Sequence, residues 1–301
     1  MNVVGKTALI TGASKGIGRA IALELARSGI KRIILVARNR DRLAKAASEI
    51  ESFGTEAIPL SLDLAEVVDV DIKIAKAWRD HGPIHLLVNS AGIAHQTPFL
   101  EAQAPQMQAE LTTNLMGVYS VTRVIAKRMV ARGEGAIVNV SSLMGKVAAP
   151  TMSTYSATKF ALMGFTQALR SELSDHNIQV VALLPTLTKT DMVNDFARFK
   201  WVKSVTPEQV AQALVRGLRQ DSSEVLVGWQ SHATVWLNRL MPGVVERLVR
   251  VAAPPPKPAS TLGLVERRNK LSPTRLYRRA YRRYLRYQRR NARRSGSLLC
   301  R

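Results

Sequence analysis

Short runs of aliphatic and β-branched residues alternate with longer amphipathic segments between residues 5 and 228. The short runs predict strands at Thr7–Ile10, Ile33–Val36, Ala57–Leu60, His85–Asn89, Ala136–Val140, Val180–Leu184 and Glu224–Val227. The longer segments repeat apolar residues at helical spacing and predict helices at Ile17–Ser28, Arg40–Phe53, Val67–His81, Pro105–Arg132, Ser156–His176 and Pro207–Arg219.

Strands that are apolar on both faces and separated by helices are typical of a parallel sheet covered on both sides. Because crossovers between parallel strands are right-handed, the alternation predicts an α/β fold: one doubly wound, Rossmann-type sheet with helices on both faces. After residue 228 the pattern changes to an amphipathic segment and then a proline-rich stretch. We therefore predict a Rossmann-type domain (1–228), an amphipathic extension (229–252), and a linker with a disordered basic tail (253–301).

The net charge of +22 is concentrated in that tail. Residues 251–301 contain 15 Lys and Arg against the single acid Glu266, whereas the first 250 residues carry only +8. The charge is therefore no guide to the fold. Neither a secretory signal nor a run of roughly 18 apolar residues is present, and Cys300 is the single cysteine. These features favour a cytoplasmic protein, with peripheral membrane association as an alternative.

A glycine-rich turn, residues 11–18, follows the first predicted strand and opens the first predicted helix. Glycines let the backbone turn sharply and approach a pyrophosphate, and a helix N-terminus offers free N–H groups to that anion. The turn predicts a dinucleotide site, with a purely structural turn as the alternative. Its contributing residues are Gly12, Ser14, Lys15, Gly16, Ile17 and Gly18.

The end of the second predicted strand indicates which dinucleotide binds. NAD sites place an acidic residue there, about 20 residues after the turn, for the ribose 2′-hydroxyl. This strand ends in Ala37 and Arg38 instead. Arg38 and Lys15 can together bind a 2′-phosphate, one through a planar guanidinium and the other as a point charge. The sequence therefore favours NADP(H), with two solvated surface cations as the alternative.

Tyr155 and Lys159 are four residues apart on a predicted helix, so both side chains lie on one face. An ordinary tyrosine pKa is about 10, too high for efficient proton transfer at neutral pH. A lysine cation at about 4 Å contributes about 4 kcal/mol at an effective dielectric of about 20, or roughly three pKa units. An activated phenol with a hydride carrier suits carbonyl–alcohol interconversion, but such pairs are also common on helix surfaces.

Residues 5–228 resemble the short-chain dehydrogenase/reductase family, in the subtype with TGxxxGxG and YxxxK motifs. The matching positions are Thr11–Gly18, Asp63, Asn89–Gly92, Asn114, Ser141–Ser142 and Tyr155–Lys159. Ser142 precedes Tyr155 by 13 residues, the spacing of the family's catalytic serine. The resemblance implies an NADP(H)-dependent oxidoreductase that interconverts a carbonyl and an alcohol.

The resemblance also implies roles for individual residues. Tyr155 is expected to be the general acid in reduction and the base in oxidation, while Lys159 lowers its pKa and holds the nicotinamide ribose. Ser142 would bind the substrate oxygen, and Asn114 would support a water chain to the lysine. Other implied cofactor contacts, besides Tyr155 and Lys159, are Asp63, Leu64, Asn89, Ala91, Gly92, Pro185 and Thr190. A helix cap for Asp63 and a local backbone bond for Asn114 are alternatives, and no metal is implied.

Two positions depart from the family pattern. Ser90 replaces a second asparagine, and Thr186 stands after Pro185 where the family has glycine. The side chain of Thr186 restricts the backbone conformation there and is expected to crowd the nicotinamide. Thr190 indicates that the length of the loop is kept.

The segment Thr186–Lys203 is expected to close the substrate pocket. Met192, Phe196, Phe199 and Trp201 predict an apolar lid, with ordinary helix packing as the alternative. Such a lid favours a hydrophobic ketone or alcohol, of a 3-oxoacyl, sphingoid or steroid-like kind. The family resemblance further implies a homo-oligomer formed through the two long helices, Pro105–Arg132 and Ser156–His176.

The C-terminal segments leave several partners open. Residues 229–251 predict either packing over the pocket or on a partner subunit, or an interfacial helix with Arg239, Arg247 and Arg250 facing anionic lipid. Arginines in the tail, Arg267–Arg294, alternate with Tyr277, Tyr281, Tyr284 and Tyr287. This pattern is typical of a disordered, solvated tail. Binding to an anionic membrane is the second alternative, and binding to nucleic acid is the third. The rival to an enzyme is a cofactor-retaining Rossmann binding protein that acts through this tail.

Overall fold

The computed structural model describes residues 1–254. Their strands are β1 (Thr7–Thr11), β2 (Arg32–Ala37), β3 (Glu56–Ser61), β4 (Leu86–Asn89), β5 (Gly135–Val140), β6 (Ile178–Leu184) and β7 (Glu224–Leu226). All seven pair in parallel in one sheet, in the order β3-β2-β1-β4-β5-β6-β7. The chain winds outward in one direction from β1 to β3 and in the other from β4 to β7. This is the doubly wound α/β sheet that the sequence predicts.

Helices connect these strands and cover both faces of the sheet. They are α1 (Gly16–Arg27), α2 (Arg40–Glu51), α3 (Val67–His81), α4 (Ala104–Leu111), α5 (Gly117–Arg132), α6 (Ser153–Glu172), α7 (Pro207–Arg219), α8 (Trp229–Leu240) and α9 (Pro242–Ala252). The predicted strands and helices are confirmed, with ends that shift by a few residues, except that the helix predicted over Pro105–Arg132 is divided. Among the described residues, none of the helices is both long and apolar enough to cross a membrane.

Alternation along the strands builds two separate cores, because successive strand residues point to opposite faces. Ile10 of β1 packs in the core under α1, α2 and α7, while its neighbour Leu9 packs in the core under α3, α5 and α6. Both side chains are fully buried. The continuous apolar character of β1 therefore reflects helices on both sides of the sheet.

The helix predicted over Pro105–Arg132 is interrupted in the structure. A π-helical turn, Thr112–Met116, lies between α4 and α5. A π turn accommodates an extra residue within a helix and often occurs at functional sites. The spacing of apolar residues cannot predict this π turn. The turn contains Asn114, whose side chain bonds to residues far away in sequence.

Residues 255–301 lie outside the described part of the chain. The predicted tail at Arg267–Arg294, with its four tyrosines, therefore keeps only its sequence-based interpretation. The amphipathic extension does lie within the described residues. It forms α8 and α9, and Ser231 of α8 is buried, where its hydroxyl donates to the Val227 carbonyl at 2.7 Å.

Two helical glycines give a matched test of the packing. A methyl group at Gly164 of α6 would meet nothing within 4 Å, whereas one at Gly217 of α7 would overlap Cγ2 of Val225. Gly164→Ala should raise the free energy of unfolding by about 0.5–1 kcal/mol through helix propensity. Gly217→Ala should lower it by about 1–3 kcal/mol through overpacking. Urea denaturation measures both, and a change of the same sign in both variants would contradict this packing.

Candidate active site

One large cavity opens at the carboxyl ends of the central strands, where ligands bind in doubly wound sheets. Its volume is about 920 Å³. The loops after β1, β4, β5 and β6 all reach it. All but two of the site residues expected from the sequence line this cavity: Gly12, Ser14, Lys15, Gly16, Ile17, Gly18, Arg38, Asp63, Leu64, Ala91, Gly92, Ser142, Tyr155, Lys159, Pro185 and Thr190.

At two positions of the glycine turn, Gly12 and Gly18, the packing leaves no room for a side chain. Gly12 has a left-handed φ of 68°, and a Cβ there would lie 2.8 Å from the Cα of Ala91. A Cβ on Gly18 would collide with the carbonyl oxygen of Gly12. Lys15 precedes α1 and makes no side-chain hydrogen bond that caps the helix. The turn thus presents close-packed backbone at its glycines and a helix N-terminus to the cavity, which suits a phosphate group.

Three cations line the adenine-side end expected for the cavity: Lys15, Arg38 and Arg42. Lys15 Nζ lies 3.2 Å from Oδ2 of Asp191, and Nη1 of Arg42 lies 3.8 Å from the same oxygen. Nη1 of Arg38 lies 3.7 Å from Oδ2 of Asp63. All these side chains are substantially exposed, so the ion pairs are weak and open to exchange for another anion.

The sequence interpretation missed Arg42 and Asp191. Asn39 caps α2 by accepting a hydrogen bond from the Arg42 backbone N at 2.8 Å. That cap places Arg42 in the first turn of α2, next to the strand end that holds Arg38. The asparagine before a helical segment was the available signal for Arg42. Asp191 had no such local signal, because its partners are far away in sequence.

Asp63 makes a local backbone contact as well as facing the cavity. Its Oδ1 accepts from the Ala65 backbone N at 3.0 Å, and α3 begins only at Val67. Asp63 therefore stiffens the turn before α3 without being the residue at the helix N-cap, which is Glu66.

Tyr155 and Lys159 lie on one face of α6, as their spacing predicts. Lys159 is 5% exposed, and its Nζ donates to the Val140 carbonyl at 2.9 Å and lies 5.5 Å from the centre of the Tyr155 ring. Ser142 lies at the end of β5, where its Oγ accepts from the Met144 backbone N at 3.1 Å. β5 and α6 therefore bring Ser142, Tyr155 and Lys159 to one part of the cavity.

The pKa values of this pair differ from the expected direct lowering of the tyrosine by the lysine. Burial raises the pKa of Tyr155 to about 12; the nearby Ser142 hydroxyl acts in the opposite direction, and the charge of Glu110 adds to the rise. Burial also lowers the pKa of Lys159 to about 8. Desolvation is the largest cause for both groups and opposes the charged form of each, while Lys159 Nζ directs a hydrogen bond to the Val140 carbonyl.

Asn89 and Asn114 do not line the cavity; their side chains bond to the elements that carry its lining residues. Nδ2 of Asn89 donates to Oγ1 of Thr122 and to Oδ1 of Asn139, both at 2.9 Å. Nδ2 of Asn139 donates in turn to Oγ1 of Thr166 at 2.9 Å. This buried chain joins β4, α5, β5 and α6. The Asn89 side chain is therefore part of the core, contrary to the expected direct contact with the cofactor.

Asn114 joins three segments of the site. Its Oδ1 accepts from the Ile93 backbone N, and its Nδ2 donates to the Ile93 carbonyl, both at 2.9 Å. Nδ2 also donates to Oγ1 of Thr158, the neighbour of Lys159, at 3.1 Å. Asn114 therefore bonds the loop after β4 and helix α6, and not the backbone of its own helix.

A buried acid near the site was also missed by the sequence interpretation. Glu110 of α4 is 2% exposed, and its Oε1 lies 2.9 Å from Nδ1 of His95. The same oxygen accepts from the His95 backbone N at 2.5 Å. An acid at an otherwise core-facing helical position is the signal that could have identified it.

The segment after β6 forms one wall of the cavity, as predicted. Met192, Phe196 and Phe199 line it, but Trp201 does not and is 69% exposed. The expectation that Trp201 belongs to the lid is therefore wrong: its side chain is mostly exposed to solvent, and its backbone has a left-handed φ of 63°. Thr186 lines the cavity and is not among the described non-glycine residues with a positive φ, so its side chain causes no left-handed strain.

Comparison with known proteins assigns these features to a known group. The family model described as short chain dehydrogenase matches residues 6–201. A relative, the ketoacyl reductase HetN of Nostoc sp., is 32% identical over 258 residues, which cover 82% of this chain and 89% of that protein.

Solved structures share the fold. A short-chain dehydrogenase from Sphingobium yanoikuyae in complex with NADPH superposes with a TM-score of 0.70 at 27% identity, covering 85% of this chain and 99% of that one. An alcohol dehydrogenase from Comamonas testosteroni, described as specific for bulky-bulky ketones, superposes with a TM-score of 0.69 at 26% identity. This match covers 81% of this chain and 94% of the other.

The bonds of Asn114 predict a large structural role. Asn114→Ala would leave the buried amide of the Ile93 loop without its partner, and we expect the free energy of unfolding to fall by about 2–4 kcal/mol. Asn39→Ala is the matched control, since it removes one exposed capping bond and should cost about 1 kcal/mol. Denaturant unfolding compares the two variants. A loss in Asn114→Ala no greater than that in the control would contradict the assigned bonds.

Proposed function

The chain belongs to the short-chain dehydrogenase family, and we propose that it is an NADP(H)-dependent oxidoreductase that interconverts a carbonyl and an alcohol on a hydrophobic substrate. The observation that carries the proposal is the convergence of Ser142, Tyr155 and Lys159 on the same cavity as the glycine turn. Packing of the hydrophobic core alone does not require a serine, a tyrosine and a lysine side by side next to the glycine turn. Their meeting supports proton transfer next to a bound dinucleotide.

The cradle of the turn fits the pyrophosphate of a dinucleotide, because Cβ atoms at Gly12 and Gly18 would fill or distort it. When bound, the nicotinamide cofactor supplies or accepts the hydride. Lys15, Arg38 and Arg42 would hold the 2′-phosphate through charge-assisted hydrogen bonds. In doing so Lys15 and Arg42 would exchange Asp191 for the phosphate. Structural relatives solved with NADP or NADPH support this choice of cofactor.

Tyr155 would donate the phenol proton to the carbonyl oxygen in reduction and take it back in oxidation. Ser142 would donate a hydrogen bond to the same oxygen and stabilise the negative charge that develops on it. Lys159 would contribute a positive charge behind the phenol. Asn114 would hold the Ile93 loop against α6, and thereby the position of the tyrosine and the lysine relative to that loop.

The walls of the cavity support an apolar substrate. Met192, Phe196 and Phe199 cover one side, and Val249 of α9 contributes from another. Such walls exclude water and favour a hydrophobic ketone over a small polar one. The ketoacyl reductase and the bulky-ketone dehydrogenase among the similar proteins support the 3-oxoacyl, sphingoid or steroid-like class.

The helices beside the site support a homo-oligomer. Leu111, Met116 and Tyr119 lie along the α4–α5 segment, and Phe160 lies on α6; all four are exposed apolar side chains. Exposed apolar patches of this kind are typical of subunit interfaces. We propose a homo-oligomer that buries these two segments.

Arg38→Ala tests the cofactor. We expect NADPH binding to weaken about tenfold to a hundredfold, because a charge-assisted bond to the 2′-phosphate is lost, while NADH binding changes little. Arg40→Ala is the matched control, since Arg40 is an exposed neighbour that does not line the cavity. Titrations of nucleotide fluorescence with wild type and both variants provide the measurement. An equal loss for both nucleotides in Arg38→Ala would rule out this role.

A pH profile tests the proton-transfer pair. With its pKa raised to about 12, Tyr155 keeps its proton at all moderate pH values, whereas Lys159, lowered to about 8, loses its charge above that pH. We therefore expect kcat/KM for NADPH-dependent reduction of an apolar ketone to be level below about pH 8 and to fall above it.

Two variants accompany this profile. Tyr155→Phe should lower kcat/KM by a factor of about 10² to 10⁴, as removal of a general acid does. Ser171→Ala is the control, because it removes the hydroxyl of an exposed serine at the far end of the same helix and should leave the rate unchanged. Near-normal turnover in Tyr155→Phe would refute the assigned acid, and a rate still rising above pH 9 or so would refute the role of the lysine charge.

A further inference from the structure

Apolar side chains remain in solvent along α8 and α9. On α8 they are Trp229, Trp236 and Leu240, and on α9 they are Val244, Leu248 and Val251, each set at helical spacing along one stripe. Trp229 is 69% exposed and Trp236 65% exposed. Together with Trp201, these residues form what we call the C-terminal apolar face. Large exposed apolar patches mark sites of interaction.

Hydrogen bonds hold the loop that carries Trp201 against these helices. Nε2 of Gln230 donates to the Trp201 carbonyl at 3.0 Å, and Oε1 of Gln230 accepts from the Lys203 backbone N at 2.9 Å. The Lys200 backbone N donates to the Ala252 carbonyl at 2.8 Å. The Trp201 loop, the start of α8 and the end of α9 are thus joined, so the three segments that carry the face are held together.

Cations border the stripes. Arg239 lies beside the stripe of α8, and Arg247 and Arg250 lie on the solvent side of α9. Lys200 and Lys203 flank Trp201 in the loop. The sequence of α8 and α9 contains one acid, Glu246, which lies 3.6 Å from Nη2 of Arg250. The border of the apolar face is therefore positive.

We propose that the C-terminal apolar face docks on an anionic lipid surface. Tryptophan rings prefer the boundary between acyl chains and headgroups, and arginines beside them can reach lipid phosphates. The sequence that follows α9 adds 15 Lys and Arg against one acid, a net positive charge that anionic lipid attracts. Electrostatic attraction and apolar insertion then act together, as stable peripheral binding requires.

Charge also argues against the other occupants. A second copy of this chain packed face to face would bring two borders rich in arginine together (Arg239, Arg247 and Arg250), which like-charge repulsion disfavours. The chain's own residues 257–301 carry the same positive sign and would be repelled by the same arginines. Anionic lipid is the occupant that satisfies both the apolar stripe and its cationic border.

Docking would bring the cavity to the membrane. Thr234 and Val249, on other sides of α8 and α9, line the cavity. One pair of helices would therefore contact lipid with one stripe and an apolar ligand with the other. The docking inference goes beyond the proposed reaction and holds whether or not that reaction is correct, because its test measures lipid contact and not turnover.

The tryptophans themselves provide the test. Three of the four tryptophans of the chain lie on the face, and the fourth, Trp78, packs against the core beneath α3. The full-length protein is mixed with vesicles of phosphatidylglycerol and phosphatidylcholine whose acyl chains carry bromine, a quencher of tryptophan fluorescence. We expect quenching with these vesicles and little with phosphatidylcholine alone. Trp78→Phe should retain the quenching, and the triple variant Trp201→Phe, Trp229→Phe, Trp236→Phe should lose it.

A second pair of variants measures affinity. Trp236→Ser with Leu248→Ser should lower vesicle binding about tenfold or more, through the loss of two apolar side chains from the lipid boundary. Val68→Ser with Ile72→Ser is the matched control, since both residues are exposed apolar positions on α3. Three results would overturn the proposal: sedimentation with vesicles without quenching, equal losses in both double variants, or protection of the face from aqueous iodide by self-association in the absence of lipid.

Discussion

A buried chain of side-chain hydrogen bonds determines where helix α6 lies relative to the sheet. Asn89 at the end of β4 bonds to Asn139 of β5, and Asn139 bonds to Thr166 of α6. All three residues are almost inaccessible to solvent, and buried polar groups are costly unless their partners are in place. These bonds therefore fix the position of α6 on the sheet. They also fix the positions of Tyr155 and Lys159, which lie in the N-terminal part of the same helix.

A second constraint acts at the mouth of the site, where the turn after β1 meets the loop after β4. The backbone N–H groups of Ser90 and Ala91 both donate to Oγ1 of Thr11 at 3.1 Å. That contact brings Ala91 so close to Gly12 that no side chain fits between them. The same approach leaves a cradle of bare backbone for phosphate, so the packing of two loops and the shape of the proposed cofactor site have one cause.

Burial gives the site its electrostatic character. The phenol of Tyr155 and the ammonium of Lys159 are both removed from water, and desolvation opposes the charged form of each. Glu110 lies close enough to disfavour the phenolate further. By contrast, three cations lie at the exposed end of the cavity: Lys15, Arg38 and Arg42. Solvent screens their ion pairs with Asp191 and Asp63, so these acids can be replaced by another anion. The cavity thus has a desolvated end suited to proton transfer and a solvated end suited to binding an anion.

The sequence by itself determined the features that depend on neighbouring residues. Alternation of apolar runs predicted the parallel sheet, the glycine turn predicted a phosphate cradle, and the spacing of Tyr155 and Lys159 predicted a shared helix face. Only the tertiary structure decided that Asn89 bonds into the core, that Lys159 reaches the Val140 carbonyl, and that Trp201 extends into solvent. The physical reason is range: propensity and periodicity act between residues a few positions apart, whereas burial and hydrogen bonding here join side chains many positions apart and depend on how complete elements pack.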